Sequence, residues 1–588
     1  MKINELKKNI PTLKISFLMA MANKFLENIG FTGIINNQTD EGSKSHSNMD
    51  TGNLAKAIIL STFYSMRAPL YKIESRFKHN EVDVEYFFGK NAQVGFLNDD
   101  ALGDCLDKIA AAGDETLYKS IVLSAHTTYD IAFKRLHADT TTVSFYGEYA
   151  DEEPQVFDNE LDIEAGQEPR EESSVAENPP LNITQGYNKD HRHECPQVVV
   201  GKIVNEHGIP LAAKVMDGNT SDIDWNKMAI DLVHDLQENG LNKGIYIADS
   251  KLMTTDLVRK MLHKSKGVQF ISRCPANFYH KLESRMVERA YTENQWQDIG
   301  VLGKSKKACN YSVQGFIERF EETDLRVIVV QTSAGESRYN NKLERQRKIL
   351  ETAIEDISKK NFACEADAVA EWDRFSKKHS KLAYACQVVF EETKTLKRRP
   401  GRPSLKVVVP NEYKSTWKTH ITLAGLDEEK AKTLKESEQS FVLVSSVPVE
   451  EASDKEIVAY YKDQMVVEID FRYYKEPCLA SVIFLKHPHR VRALMMLLNV
   501  SLLIRALIQY KLRKGRKEWT GELPRIGYNG AKLQDAPTFA FLQYALEGMH
   551  FIKIGQEEYT FYLDDSLNTL RGMTLLKMMG MEPKNLLE

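Results

Sequence analysis

The chain has 588 residues, 42% hydrophobic and 27% charged, with a formal net charge of −5. That length exceeds a single core, and that balance excludes a wholly disordered or membrane-embedded chain. Seven cysteines without a C-x-x-C pair fit reduced thiols and suggest neither a disulfide framework nor a four-cysteine zinc site. The acidic balance does not exclude a nucleic-acid partner, because it is local: residues 147 to 178 hold twelve acids and one base, and the rest of the chain carries a net +6. That stretch is poor in apolar residues and reads as a disordered loop, either a tolerated surface insertion or a competitor for a basic groove.

The N-terminus lacks the apolar core of a signal peptide, which predicts a cytoplasmic protein. Residues 1–125 are predicted to be a helical domain; Leu54–Met66 and Asp104–Ala112 carry apolar side chains at a period near 3.6. The period then shortens. Strands are predicted over 133–146, 197–204 and 210–216, the last two joined as a hairpin, then a helix over 224–239. A buried strand over 244–248, a helix over 255–263 and a strand over 268–272 complete the order. The order βββαβαβ is that of a ribonuclease H-like core, with the acidic loop between its first two strands.

Some 218 residues separate Asp249 from Glu468, too many for a loop, so a mixed insertion domain is predicted over 276–450. Strands are expected at 311–320, 325–331, 388–393, 406–409 and 441–445, and a charged helix at 341–359. The apolar run 493–504 is too short for a membrane span and reads as a buried helix, followed by a basic end: Arg505, Lys511, Arg513, Lys514, Arg516 and Lys517. The predicted class is therefore α/β (α+β). The core is divided as 126–275 and 451–515, with a helical C-terminal region over 516–588.

Three carboxylates stand out. Asp139 lies in Leu136-His-Ala-Asp-Thr-Thr-Thr142 and Asp249 ends Ile245-Tyr-Ile-Ala-Asp249, both at apolar, strand-like runs; Glu468 lies in a helix-like run from Tyr461 to Lys475. Singly each has a plain structural use, as a turn cap, a helix N-cap or a solvated face. Together they offer the oxygen ligands that a pair of Mg²⁺ ions ~3.5–4 Å apart needs for phosphodiester chemistry. On one continuous helix, Tyr461, Gln464, Glu468, Arg472 and Lys475 would share a stripe about 80° wide, placing two cations beside the metal for DNA phosphates.

Tyr461-x₂-Gln464-x₃-Glu468-x₆-Lys475 resembles the Y-x₂-R-x₃-E-x₆-K signature of bacterial insertion-sequence DDE transposases, with glutamine where that family usually has arginine. Asp139-Thr-Thr, Gly186–Gln197, Gly218–Asp222 and Ile247-Ala-Asp249 resemble its further blocks, in the same order, and Leu97–Gly103 resembles a leader domain found in one branch. The resemblance implies that Asp139, Asp249 and Glu468 are catalytic metal ligands and that Tyr461 and Lys475 contact the transposon end. It implies two Mg²⁺ ions, with Mn²⁺ able to substitute, and a homodimer that synapses two ends.

Arg192, in a loop with His191, His193 and Cys195, is a candidate phosphate contact. Lys397-Arg-Arg-Pro-Gly-Arg-Pro403 resembles an AT-hook core, whose Arg399 and Arg402 would enter a narrow minor groove; a basic linker is the plain alternative. The expected function is a cut-and-paste transposase acting on double-stranded DNA, at terminal inverted repeats and at target DNA. It would work in a prokaryotic cytoplasm, near the nucleoid, without a membrane partner. A nuclease without strand transfer and an inactive DNA-binding relic are the alternatives.

Overall fold

The computed structural model describes residues 12–39, 48–64, 69–145, 180–241, 243–263, 267–302, 309–397, 412–464, 467–468, 471, 485–525, 532–547, 549–554, 560–562 and 567–587. The acidic stretch 147–178, the expected strand 406–409, and Arg399, Arg402, Arg472 and Lys475 lie outside them. The chain divides into two compact units: residues 1–252, 256–270 and 460–588, and residues 253–255 and 271–459.

The first unit contains the core sheet. Its strands are β1 (Arg135–Ser144), β2 (Gln197–Asn205), β3 (Pro210–Met216) and β4 (Ile245–Ala248), in the order β3-β2-β1-β4. β1, β2 and β3 pair antiparallel, and β4 runs parallel to β1. The chain then comes back alongside β4, where the Gln269 carbonyl accepts from the Tyr246 amide at 2.8 Å. Three antiparallel strands with a parallel fourth on the first strand's free edge, then helix Thr255–Leu262 and strand Phe270–Arg273, give the predicted ribonuclease H-like order. β2 is buried along its length because it is covered on both faces, and the hydrophobic run Val198-Val-Val-Gly-Lys-Ile-Val204 already reads that way.

Helix Asp222–Glu238 docks through Trp225, which is 1% exposed and lies on Gly201 of β2. Any Cβ at Gly201 would overlap the indole, so glycine is what lets the helix lie so close to the strand.

The predicted buried helix is longer than the apolar run suggests, spanning Pro488–Glu518. By length and composition it could cross a membrane, but 94% of its apolar window is buried within the protein, as for a core helix. It packs against helices Phe17–Asn28, Thr51–Ser61, Asp99–Ala112 and Asp114–Tyr129 and against β3. Its N-terminal end is fixed by Asp107, which accepts from Arg490 Nε at 2.7 Å, Arg490 Nη2 at 2.6 Å and His489 Nε2 at 2.9 Å. Gly103, one turn before Asp107, makes room: a Cβ there would stand 2.8 Å from Arg490 Nη1.

Burial alone would raise the Asp107 pKa, but the hydrogen bonds from His489 and Arg490 outweigh it and hold the group down, to about 2. A folded value below the unfolded one, ~3.9, gives stability that is present above pH ~4 and lost as pH falls towards 2. With both side chains partly exposed, about 1–2 kcal/mol is expected. Asp107→Asn should therefore melt lower than the parent at pH 7, and the difference should shrink below pH 4; a gap constant down to pH 3 would contradict this.

The second unit is an antiparallel sheet, ordered Phe270–Arg273, Ser440–Ser445, Thr323–Thr332, Asn310–Phe320 and Gln297–Val301. Beside it, strands Tyr384–Leu396 and Tyr413–Leu426 form a two-stranded ribbon. Helices Gly335–Ser358 and Glu365–His379 cover one end of the ribbon through Leu350, Ile357, Phe375 and Ile421. Helices Leu282–Glu293, Glu365–His379 and Glu428–Gln439 were not expected from the sequence. Their apolar faces are narrow and their exposed faces densely charged, which masks the helical period.

Candidate active site

Parallel pairing of β1 with β4 matches Arg135 to Ile245, Leu136 to Tyr246 and His137 to Ile247. Asp139 lies two residues further along β1, and Asp249 directly follows the last residue of β4, so both acids come just after the stretch in which these two strands pair. Burial raises both carboxyl pKa values, and the Asp139 charge raises Asp249 further. Crowded, half-buried carboxylates of this kind are relieved by a cation.

The structure adds three groups that the sequence reading did not name as site residues. Asp222, at the start of the Trp225 helix, accepts from Thr140 Oγ1 at 2.5 Å. Lys189 Nζ donates to Thr140 Oγ1 at 2.6 Å and to the Thr140 carbonyl at 2.9 Å, and stands 3.5 Å from Asp139 Oδ1 and 3.4 Å from Asp222 Oδ1. Its charge opposes the upward shift at Asp139 and at Asp249. Lys202, fully buried, lies directly across the β1–β2 ladder from Asp139. A lysine inside an otherwise apolar strand was the legible signal for it.

Lys189 is delivered by an ordered loop. Gln197 and Asn188 are buried and bonded to each other at 2.8 Å; Asn188 also donates to Ser144 Oγ at 2.9 Å, and Gln197 Nε2 to the Gly218 carbonyl at 2.7 Å. Asn188 Oδ1 in turn accepts from the Asp190 and Arg192 amides. Two of the sequence blocks meet here through their glycines: a Cβ on Gly186 would overlap the Gly218 carbonyl, and one on Gly218 would overlap the Gln197 and Thr184 carbonyls. The loop's outer face presents Tyr187, His191, Arg192 and His193, all exposed.

Glu468 is helical as expected, but not on one continuous helix with Tyr461. No continuous helix runs from Tyr461 to Lys475. Helix Asp454–Lys462 ends after Tyr461, and Asp463 and Gln464 form a turn in which the Gln464 amide donates to the Tyr461 carbonyl and the Val467 amide to the Gln464 carbonyl, both at 3.2 Å. The shared stripe of Tyr461, Gln464 and Glu468 is therefore broken at the turn. Beyond the turn, Val467, Glu468 and Phe471 are helical again. Packing decides the rest. Asp463 pairs with Arg135 at 3.3 Å, and the Arg135 guanidinium lies 4.5 Å from the Tyr460 ring centre. Val467 and Phe471 bury against Val204.

Val204 pairs with His137 and Lys202 with Asp139, so these four residues share a sheet face. The segment bearing Glu468 thus lies on the face from which Asp139 projects. Glu468 itself is exposed, and among the described residues no group of three or more His, Cys, Asp or Glu is arranged to hold a metal ion. The fit to a divalent cation therefore rests on the Asp139–Asp249 pair, with hard oxygen donors on adjacent strands.

The description "Transposase DDE domain" matches residues 174–504, more than half of the chain, and a "Domain of unknown function (DUF4277)" matches residues 11–123. The chain belongs to the DDE transposase family and acts in DNA transposition. Enzymes of this family usually use divalent metals. The match includes Asp249 and Glu468 and begins after Asp139, whose place in the site rests on the strand register. No curated protein matches the chain. Among solved structures, the cryo-EM structure of the piggyBac transposase synaptic complex with hairpin DNA is similar over 97% of this chain and 83% of that one, at 8% identity and a TM-score of 0.35.

Proposed function

We propose that this transposase cleaves phosphodiester bonds at the ends of its element and joins the freed 3′-hydroxyl to target DNA, in the Y-R-E-K group of the family. The observation that supports the reading is that Asp139, on β1, and Asp249, directly after the parallel neighbour β4, are close enough for the Asp139 charge to raise the Asp249 pKa. These two carboxylates are the ligands, and Glu468 is the third. Bound Mg²⁺, as two ions, or Mn²⁺ in its place, would supply a Lewis acid for the attacking and leaving oxygens. The chain's own part is to crowd the acids, to offset their charge with Lys189, and to keep Asp222 hydrogen-bonded to Thr140.

Arg192 on the exposed loop, Tyr461 and Gln464 at the helix end, and Arg472, Lys475, Arg399 and Arg402 would contact phosphates or the minor groove. The N-terminal helices and the second unit would recognise the element's terminal repeats, two copies of the chain holding two ends in the prokaryotic cytoplasm.

The test is strand cleavage on a duplex carrying the repeats that flank this gene. Nicks at the repeat boundary in Mg²⁺ that disappear with EDTA, and 3′-joined products with added target DNA, are expected. Cleavage without joining would mark a nuclease; retained binding without metal-dependent cleavage would mark a relic.

A further inference from the structure

The basic end of the long helix Pro488–Glu518 is not uniform. Its arginines are committed to the fold: Arg505 donates to the Thr62 carbonyl and lies against the Phe63 and Phe539 rings, Arg513 donates to the Pro537 carbonyl, and Arg516 pairs with Asp535. Lys511 and Lys514 are different. They fall at i and i+3 on one helix face and, with Lys577 from helix Leu567–Met578, line a groove of about 490 Å³. Among the described residues, none of the three ammonium groups forms an ion pair or a hydrogen bond.

Three aromatic side chains, Tyr129, Tyr510 and Trp519, line the same groove, and Glu518 is the one acid among its described lining residues. The groove is built rather than incidental. Gly515 lies against the Met578 carbonyl so closely that a Cβ would overlap it, which holds the two helix ends together. Tyr510 is braced by His207 at 5.0 Å, and Tyr129 by the stacked Phe25 ring at 5.1 Å. Burial lowers the Lys511 pKa with no carboxylate offsetting it, so an anion entering the groove would restore what desolvation takes away.

We propose that this groove binds one nucleotide unit, its phosphate held by Lys511, Lys514 and Lys577 and its base stacked on the aromatic side chains. Unpaired cations beside π-faces are the combination that holds single nucleic-acid strands without reading sequence. An acidic peptide would match the lysines but leave three aromatic faces unused. The source of the nucleotide is either a DNA strand or a free nucleotide. The site requires no metal, so it stands or falls separately from the cleavage reading above.

The experiment is a fluorescence titration of the full chain in EDTA, taking the Trp519 signal as the difference between wild type and Trp519→Phe. The probes are a short single-stranded oligodeoxynucleotide, a mononucleotide triphosphate and inorganic phosphate. Quenching by the oligonucleotide, with affinity lowered at least about 10-fold in Lys511→Gln/Lys514→Gln/Lys577→Gln, supports the proposal and assigns a DNA strand. The triple variant should also flatten the salt dependence, by about 0.7 in log–log slope for each phosphate that is no longer neutralised. Trp519→Ala, read instead by the anisotropy of a dye-labelled copy of the same oligonucleotide, should weaken binding about 5- to 100-fold. Quenching by the triphosphate alone supports it with a free nucleotide as source. Quenching by inorganic phosphate as strong as by either nucleotide probe overturns the stacked base. Binding unchanged in the triple variant, or no response to any probe, overturns the proposal. Matching melting curves check that the variants fold. The same titration on Asp249→Ala should be unaltered, which separates this site from the catalytic one.

Discussion

Asp249→Asn should lower strand cleavage by at least about 10³-fold while leaving duplex binding within a few-fold of wild type. Asparagine fills the same volume but gives a divalent cation one neutral oxygen in place of an anionic pair. The sign of the stability change makes the prediction specific. Burial and the Asp139 charge both raise the Asp249 pKa, so the ionised pair costs the fold energy in the absence of metal. Removing one charge should therefore leave the melting temperature unchanged or raise it. A structural aspartate would behave in the opposite way: its amide would melt lower and retain activity.

Lys189→Met supplies the counterpart. It leaves Asp139 and Asp222 without the ammonium that now stands 3.5 and 3.4 Å from them. Melting in EDTA should fall, and added Mg²⁺ should recover more stability in this variant than in wild type, because a ligand that binds only the folded state stabilises it more the tighter it binds, as RT ln(1 + [L]/Kd). Equal Mg²⁺ shifts in both proteins would show that Lys189 and the cation do not answer the same charge.

The pairing of the two aspartates was legible because strands announce themselves. Each acid ends or interrupts an apolar, β-branched run, and the βββαβαβ order fixes which runs become neighbours. Glu468 was legible only by spacing. A 3.6-residue period drawn through Tyr461, Gln464 and Glu468 assumes an unbroken helix, whereas the chain turns at Asp463 to meet Arg135 and buries Val467 and Phe471 on Val204. Those are contacts made with residues more than 250 positions away, and no local pattern carries them. Lys189 and Asp222 lie within family-like sequence blocks, but neither block reveals what its charged residue faces. Their roles come from Thr140, which takes a hydrogen bond from one and gives one to the other.

The same blocks explain why glycine matters more than charge for holding the loop, which leads to the second large effect. Gly218→Ala should destabilise the first unit by at least about 3 kcal/mol, because its Cβ would overlap two backbone carbonyls, those of Gln197 and Thr184, and neither can yield as a side chain could. The Thr184 carbonyl is held by the Gln197 amide at 2.9 Å, and the Gly218 backbone is held by its own amide donating to the Asn182 carbonyl at 3.0 Å. Displacing this junction also frees the Gln197 side chain from the Gly218 carbonyl, and with it the Asn188 anchor that holds Lys189 over Thr140. Stability and cleavage should thus fall together, and lowering the temperature should restore folding before it restores activity. Gly33→Ala is the matched control. Nothing lies within 4 Å of its Cβ, it sits on the exposed side of helix Phe31–Thr39, and alanine there should stabilise by about 0.5–1 kcal/mol. Denaturant unfolding of the two variants side by side decides the matter: comparable small effects would mean that the Gly186–Gly218 contact does not hold the catalytic loop.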